Sequence, residues 1–336
     1  MLNRLYGSIA KQRRHWYTWQ GESQRRLRQP VVSVGALAVG GSGKTPVASH
    51  VAMILKEIGE RPSILSRGYG REQRLDGVVV VSDAQGVRSG LAEAGDEPMM
   101  LARALTGIRV LVSEDRYLAG RLAETKLEAS VHVLDDGYQY FFLHRDVDLL
   151  LLSERDVTDA RTLPGGHLRE PLETACHADA LIIETADLDE ARHFADRFDV
   201  EMAFHFMRVL KRPLDAETKE EVAIDLAAPV LAVAGIALPE IFFAGLGQKG
   251  YRVTETFAFP DHHSLTTRDI SQIGRLANVH NVEYVVTTEK DLVRFLPHAP
   301  FDFRLAAIPL AVSIEPARLF RIWLGDRVQE VREAAR

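Results

Sequence analysis

Apolar positions in this chain fall into two kinds of stretch. Short, nearly unbroken runs read as strands buried on both faces: 31–34, 63–65, 78–81, 109–112, 131–134, 147–152 and 180–183. Between several of them, apolar residues recur at helical spacing over 47–55, 99–105 and 116–127. Gly59 and Pro62 close the first of these helices. Strand alternating with helix predicts a mostly parallel sheet flanked by helices. Near 211–221 charge becomes dense and Pro213 interrupts, which predicts a domain boundary. A second series follows, with strands at 229–234, 251–259 and 283–287 and helices at 239–246 and 267–277. Thr288-Glu289-Lys290-Asp291 then opens one more helix with a capping pattern. The expected architecture is α/β, with a larger domain over 30–215 and a smaller α/β domain over 216–336.

Residues 1–29 form a separate arm. A helix over 2–19, at about 100° per residue, puts Leu2, Leu5, Ile9, Trp16 and Trp19 on one side. Arg4, Lys11 and Arg14 fall on the other, and Arg13 intrudes on the apolar side. Two Trp and Tyr17 suit a lipid–water boundary, although a helix docked on its own protein shows the same stripe.

Charge sharpens this picture. The chain carries a net −6, yet residues 1–29 hold seven Lys or Arg against Glu22 alone, or +6, leaving −12 for the rest. A basic arm on an acidic body points to an anionic partner. No nucleic-acid motif accompanies the charge, so none is expected. The single cysteine, Cys176, excludes an internal disulfide framework. The longest apolar stretch, 227–237, is too short to span a membrane and contains Pro229 and Gly235.

The chemistry centres on the end of the first strand. Val39-Gly40-Gly41-Ser42-Gly43-Lys44-Thr45-Pro46 follows an apolar run and precedes a helix, the order a phosphate-binding loop needs. Backbone N–H groups and the helix N-terminus would cradle phosphate. Lys44 would reach the β- and γ-phosphates of ATP, and the Thr45 hydroxyl would hold Mg²⁺. The usual first glycine is replaced by Ala38. Asp135 and Asp136 end the 131–134 strand, where phosphate-loop proteins place a Mg²⁺-region acid. Three other stretches stay open between two readings. Ser66-Arg67-Gly68-Tyr69-Gly70-Arg71 is a phosphate-gripping strand end or a solvated loop. Asp96 is a helix N-cap or a base. Phe259-Pro260-Asp261-His262-His263 is a polar loop or an Asp-oriented imidazole.

Taken together, these motifs resemble the lipid A 4′-kinases (tetraacyldisaccharide 4′-kinases). Leu5-Tyr6-Gly7, Gly95-Asp96-Glu97-Pro98, Asp135-Asp136-Gly137-Tyr138-Gln139, Leu168-Arg169-Glu170-Pro171 and Thr288-Glu289-Lys290-Asp291 join the set, in order. The resemblance implies a P-loop NTPase-like fold and ATP- and Mg²⁺-dependent phosphorylation of the 4′-hydroxyl of an acylated disaccharide 1-phosphate. It implies a site between two α/β domains at the cytoplasmic face of the inner membrane, with the basic arm on the anionic surface and no obligate protein partner. Asp96 looks like the catalytic base, working with His262, with Lys44 neutralising phosphoryl charge. Arg67, Tyr69, Arg71 and Arg169 are candidate substrate contacts. Ala36 and Tyr140 stand where the family usually has Asn and His. The alternative is a membrane-associated switch or partitioning ATPase. Many of those resemble one another in a lysine just before the Gly-Gly pair, where this chain has Val39.

Overall fold

The computed structural model describes residues 2–19 and 24–334. Its strands, in chain order, are β1 (Val31–Ala36), β2 (Pro62–Ser66), β3 (Val79–Asp83), β4 (Gly86–Val87), β5 (Arg109–Val112), β6 (Val131–Asp135), β7 (Val147–Ser153), β8 (Ala180–Glu184), β9 (Met202–Leu210), β10 (Leu214–Asp215), β11 (Pro229–Ala234), β12 (Arg252–Ala258), β13 (Tyr284–Thr288), β14 (Leu305–Ile308) and β15 (Leu310–Glu315). The larger sheet has the order β15-β9-β8-β7-β1-β6-β2-β5-β3-β4. From β9 to β5 every pairing is parallel; the antiparallel pairings are β15 with β9, β3 with β5 and β4 with β3. The smaller sheet has the order β10-β14-β13-β11-β12.

β1 sits in the middle of the larger sheet, and all six of its residues are buried. Both faces of such a strand are covered, which is why its sequence shows no alternation. The helix α2 (Lys44–Glu57) packs Val47, Ala48, Val51 and Leu55 onto one face. Gly35 leaves room for the turn after β6. A Cβ there would lie 2.4 Å from the Tyr138 Cβ and 2.7 Å from its backbone nitrogen. We therefore expect Gly35→Ala to destabilise the protein by about 1–3 kcal/mol, because overpacking against backbone cannot be relieved by a rotamer change. A urea-unfolding midpoint checks this; an unmoved midpoint would show that the turn yields.

The C-terminal segment corrects the expected boundaries. β15 pairs with β9, and the helix Ala317–Ala334 buries Phe320, Leu324 and Val328 in the larger core. Residues 310–334 thus belong to the first unit, not to a domain running over 216–336. β10, ending at Asp215, joins the smaller sheet. The chain crosses between units twice, and the crossings touch: Lys211 N–H donates to the Pro309 carbonyl at 2.8 Å.

The arm folds as the helix α1 (Leu2–Trp19); residues 20–23 of the arm lie outside the described residues. Its docking corrects the expected polar face. Arg14 is buried, pairs with Glu170 at 2.6 and 2.9 Å, and lies 4.1 Å over the Tyr138 ring. Gly7 brings the helix against Pro171 and Thr162. The apolar stripe faces outward instead, with Leu5 59% and Trp19 83% exposed. Among the described residues, no helix is long and apolar enough to cross a membrane.

Candidate functional site

The loop after β1 turns on Gly40, Gly41 and Gly43, whose φ values of 67°, 60° and 78° lie in the left-handed region. Ala38 does not share that requirement. It forms an antiparallel bridge with Leu168, and Val39 N–H donates to the His167 carbonyl at 2.9 Å. Extended backbone at this position accepts any side chain, so the missing glycine costs nothing. Lys44 opens α2, and its Nζ donates to Ser42 Oγ at 3.0 Å and lies 3.9 Å from Asp136 Oδ1. Burial pulls the Lys44 ammonium below its ordinary pKa, partly offset by Asp136. Arg208 of β9 holds the loop from outside, donating to the Gly41 carbonyl at 2.7 Å.

β6 runs beside β1, with Asp135 in register with Val34. That register delivers Asp135 to Thr45, whose hydroxyl donates to Oδ2 at 3.2 Å. Burial, with Glu97 and Asp136 nearby, pushes the Asp135 carboxyl up to about 7. Asp136, at φ 56°, turns the other way and accepts both arms of the Arg169 guanidinium at 2.8 and 3.0 Å. Burial alone would raise Asp136, but Arg169 and Lys44 hold it below the usual carboxylate range. Thr45, Asp135 and Asp136 offer the oxygen donors that Mg²⁺ prefers. Among the described residues no group of three His, Cys, Asp or Glu forms a complete cage. Mg²⁺ needs only one or two carboxylates when phosphates supply the rest. The two departures lie here as well. Ala36 accepts from Gln139 Nε2 through its carbonyl at 3.1 Å, and the Tyr140 ring lies 4.4 Å from the buried Arg116 guanidinium.

A second cluster joins the two units. Asp96 begins the helix Asp96–Ala104, but the cap position belongs to Gly95 at φ 85°. The cap reading of Asp96 is therefore replaced. Its Oδ2 accepts from Arg294 Nε at 2.9 Å, from Arg294 Nη2, and from His262 Nδ1 at 3.0 Å. Burial would raise this carboxyl; the Arg294 and His262 contacts outweigh burial and lower it. His262 has φ 60°, rare for a residue with a side chain, and its ring lies 5.5 Å from that of Tyr69. His263 turns away, stacks on Phe259 and meets Asp269 at 3.1 Å. Lys290 Nζ bridges Glu97 and Asp261 at 3.2 Å each. Glu97 links the clusters, since its charge also reaches Lys44 and Asp135.

The Ser66–Arg71 loop divides. Arg67 and Tyr69 are exposed, whereas Arg71 Nε donates to the Gly68 carbonyl at 3.2 Å. Arg294, Arg116 and Arg208 were not visible as site residues in the sequence. Each acts on a partner far along the chain, and none sits in a motif of its own.

Comparison with known proteins decides the class. The family described as LpxK, tetraacyldisaccharide-1-P 4′-kinase, matches residues 1–329. This chain belongs to the tetraacyldisaccharide 4′-kinase family. The tetraacyldisaccharide 4′-kinase of Geobacter sulfurreducens is 37% identical over 296 residues, covering 88% of this chain and 82% of the relative. The Aquifex aeolicus enzyme is 37% identical over 292 residues, covering 86% and 87%. A solved structure titled as the apo form of Aquifex aeolicus LpxK in complex with ATP superposes with a TM-score of 0.79 at 34% identity, covering 97% of each chain. The tetraacyldisaccharide 4′-kinase fold is thus α/β and P-loop NTPase-like, as the strand order also shows. As a member of this family the chain is a lipid kinase, and the switch ATPase alternative is not favoured.

Proposed function

We propose that this kinase transfers the γ-phosphoryl group of ATP in line to the 4′-hydroxyl of a tetraacyl disaccharide 1-phosphate, at the cytoplasmic face of the inner membrane. The observation that carries the reading is the Asp96–His262 contact, joined through Glu97 to the charges of the phosphate loop. Phosphoryl transfer asks mainly for positioning and charge neutralisation. Loop amides and Lys44 neutralise charge on the transferring group. Thr45, Asp135 and Asp136 would hold Mg²⁺, which would supply positive charge to offset the developing negative charge of the phosphates. Asp96 accepts the acceptor hydroxyl's proton through Oδ1, which receives no hydrogen bond among the described residues. His262, donating through Nδ1, fixes the carboxylate's orientation. Exposed Arg67 and Tyr69 are the acceptor contacts this geometry favours. Arg71 and Arg169, already engaged, shape the loop and Asp136.

The α1 helix supports the membrane position. Arg14 and Asn3 anchor it to the protein, and Leu2, Leu5, Ile9, Trp16 and Trp19 face outward. Labelled ATP with the tetraacyl acceptor in phosphatidylglycerol-containing vesicles tests both points. We expect labelled lipid, and ATP hydrolysis without it would overturn the kinase assignment. Leu5→Glu with Trp16→Glu should cut vesicle binding at least about tenfold, since each buried apolar side chain contributes about 1.5–3 kcal/mol. Transfer to acceptor in detergent micelles should stay intact; unchanged vesicle binding would remove α1 from the interface.

A further inference from the structure

We propose that Arg294 is a positioning residue of the transfer reaction, a clamp from the second unit that fixes the Asp96 carboxylate with Oδ1 toward the acceptor hydroxyl. The proposal rests on the reading of Asp96 as the base. Arg294 belongs to the helix Glu289–Phe295, and its side chain is only 5% exposed. Its own unit holds it in place. Nη1 donates to the Gly235 carbonyl and to Asp291 Oδ1, each at 2.9 Å. Asp291 is fixed in turn, accepting from Gly235 N–H at 3.0 Å and from the Thr288 hydroxyl at 2.8 Å. A Cβ at Gly235 would come within 3.1 Å of Arg294 Nη1, so the glycine lets the guanidinium lie close against the strand end.

Thus preset, the guanidinium presents Nε and Nη2 to Asp96, a residue 198 positions away on the other unit. Both land on Oδ2, as does His262 Nδ1. Three donors on one oxygen fix the carboxylate plane and leave the other oxygen for chemistry. A planar fork imposes this orientation; a point charge does not. A buried ion pair is a poor source of net stability, so fold maintenance alone accounts weakly for the arrangement.

The clamp also bears on protonation. Asp96 faces Arg294 with Asp291, and Lys290, from the helix Glu289–Phe295. It faces His262 and Asp261 from the loop after β12, Glu97 from its own helix, and Arg71 beside Gly95. Burial disfavours its charged form, and Arg294 is the foremost group opposing that. Without Arg294, the opposition to burial falls mainly to His262, and Asp96 protonates at higher pH than in the parent. The acid limb of kcat/KM then moves up, because the base must be ionised to act.

The test compares the full chain with Arg294→Gln and Arg294→Lys, reading kcat, ATP KM and kcat/KM over about pH 5 to 9 in mixed micelles. In Arg294→Gln we expect kcat at neutral pH to fall about 10²-fold, ATP KM to stay within about threefold, and the acid limb to rise by about one pH unit. Arg294→Lys should restore the limb's position but only part of kcat. A kcat loss with an unmoved acid limb would make Arg294 merely structural and overturn the proposal, as would no loss. Should Arg294→Gln fail to fold, Asp291→Asn keeps the charge but loosens its anchor; a lowered kcat with unchanged ATP KM supports the clamp, and unchanged kcat overturns it. Asp96→Asn separates the two readings. Full activity there defeats the base assignment itself, whereas an inactive Asp96→Asn beside an unaffected Arg294→Gln defeats only the clamp.

Discussion

Asp96→Asn lowers lipid phosphorylation by about 10²–10⁴-fold, the usual contribution of a positioned general base, while ATP binding is retained. The substitution keeps the shape of the side chain and leaves a carbonyl oxygen to accept from Arg294 and His262. It removes the negative charge that a proton acceptor needs. ATP binding should survive because the phosphate loop, Thr45 and Asp135 belong to β1, α2 and β6, whereas the side-chain hydrogen bonds of Asp96 among the described residues go to His262 and Arg294. Calorimetric titration with ATP beside the transfer assay therefore separates chemistry from binding. A companion His262→Ala should cost less than Asp96→Asn, since the imidazole orients the carboxylate and Arg294 still holds it. Transfer in Asp96→Asn within about threefold of the parent would return the proton to solvent or to the phosphate itself and end the base assignment. Loss of both transfer and ATP binding would instead mark Asp96 as part of the nucleotide pocket.

How much of this was legible in the sequence depended on the range of each interaction. The phosphate loop is contiguous, and its glycines, lysine and threonine act within one turn, so the motif read directly. The strand end placed Asp135 and Asp136 beside the loop, where Asp135 meets Thr45 and Asp136 lies near Lys44. Their division of labour was hidden: Asp135 meets Thr45 while Asp136 is gripped by Arg169. Asp96 could not be separated from a cap by spacing, since an acid at a helix start has one local signature and two uses; its partners lie 166 and 198 positions away. The arm shows the same limit. Periodicity placed its apolar stripe correctly, but Arg14 went to the wet side of the wheel because Glu170, its buried partner, is 156 positions off. The return of β15 to the larger sheet was equally invisible. No strand was expected over 310–315, and a strand pattern says that a strand forms, not which edge it joins.

Lys44→Met should lower kcat by about 10³-fold and raise ATP KM as well, the range seen when one donor is removed from a preorganised anion site. Met retains the unbranched stem and its packing, so the loss reports the charge. In this structure the ammonium rests on Ser42 Oγ of its own loop and lies near Asp136 after β6. Burial already works against its charged form, and Asp136 is the first group that restores it. Phosphate oxygens would do the same more strongly, so Lys44 binds an anion at little reorganisation cost. Removing it has a second consequence. Lys44 is the foremost positive charge restraining Asp135, whose carboxyl is already pushed up to about 7. Without it, Asp135 is driven further toward its neutral form at neutral pH, and a protonated acid is a poor oxygen donor to a divalent cation. Lys44→Arg should not restore kcat, because a planar fork cannot take the place of a compact ammonium between Ser42 and Asp136. The decisive reading is transfer rate at saturating ATP. A kcat within about tenfold of the parent, with only KM raised, would show that Lys44 binds ground and transition states alike and contributes nothing specific to the transfer.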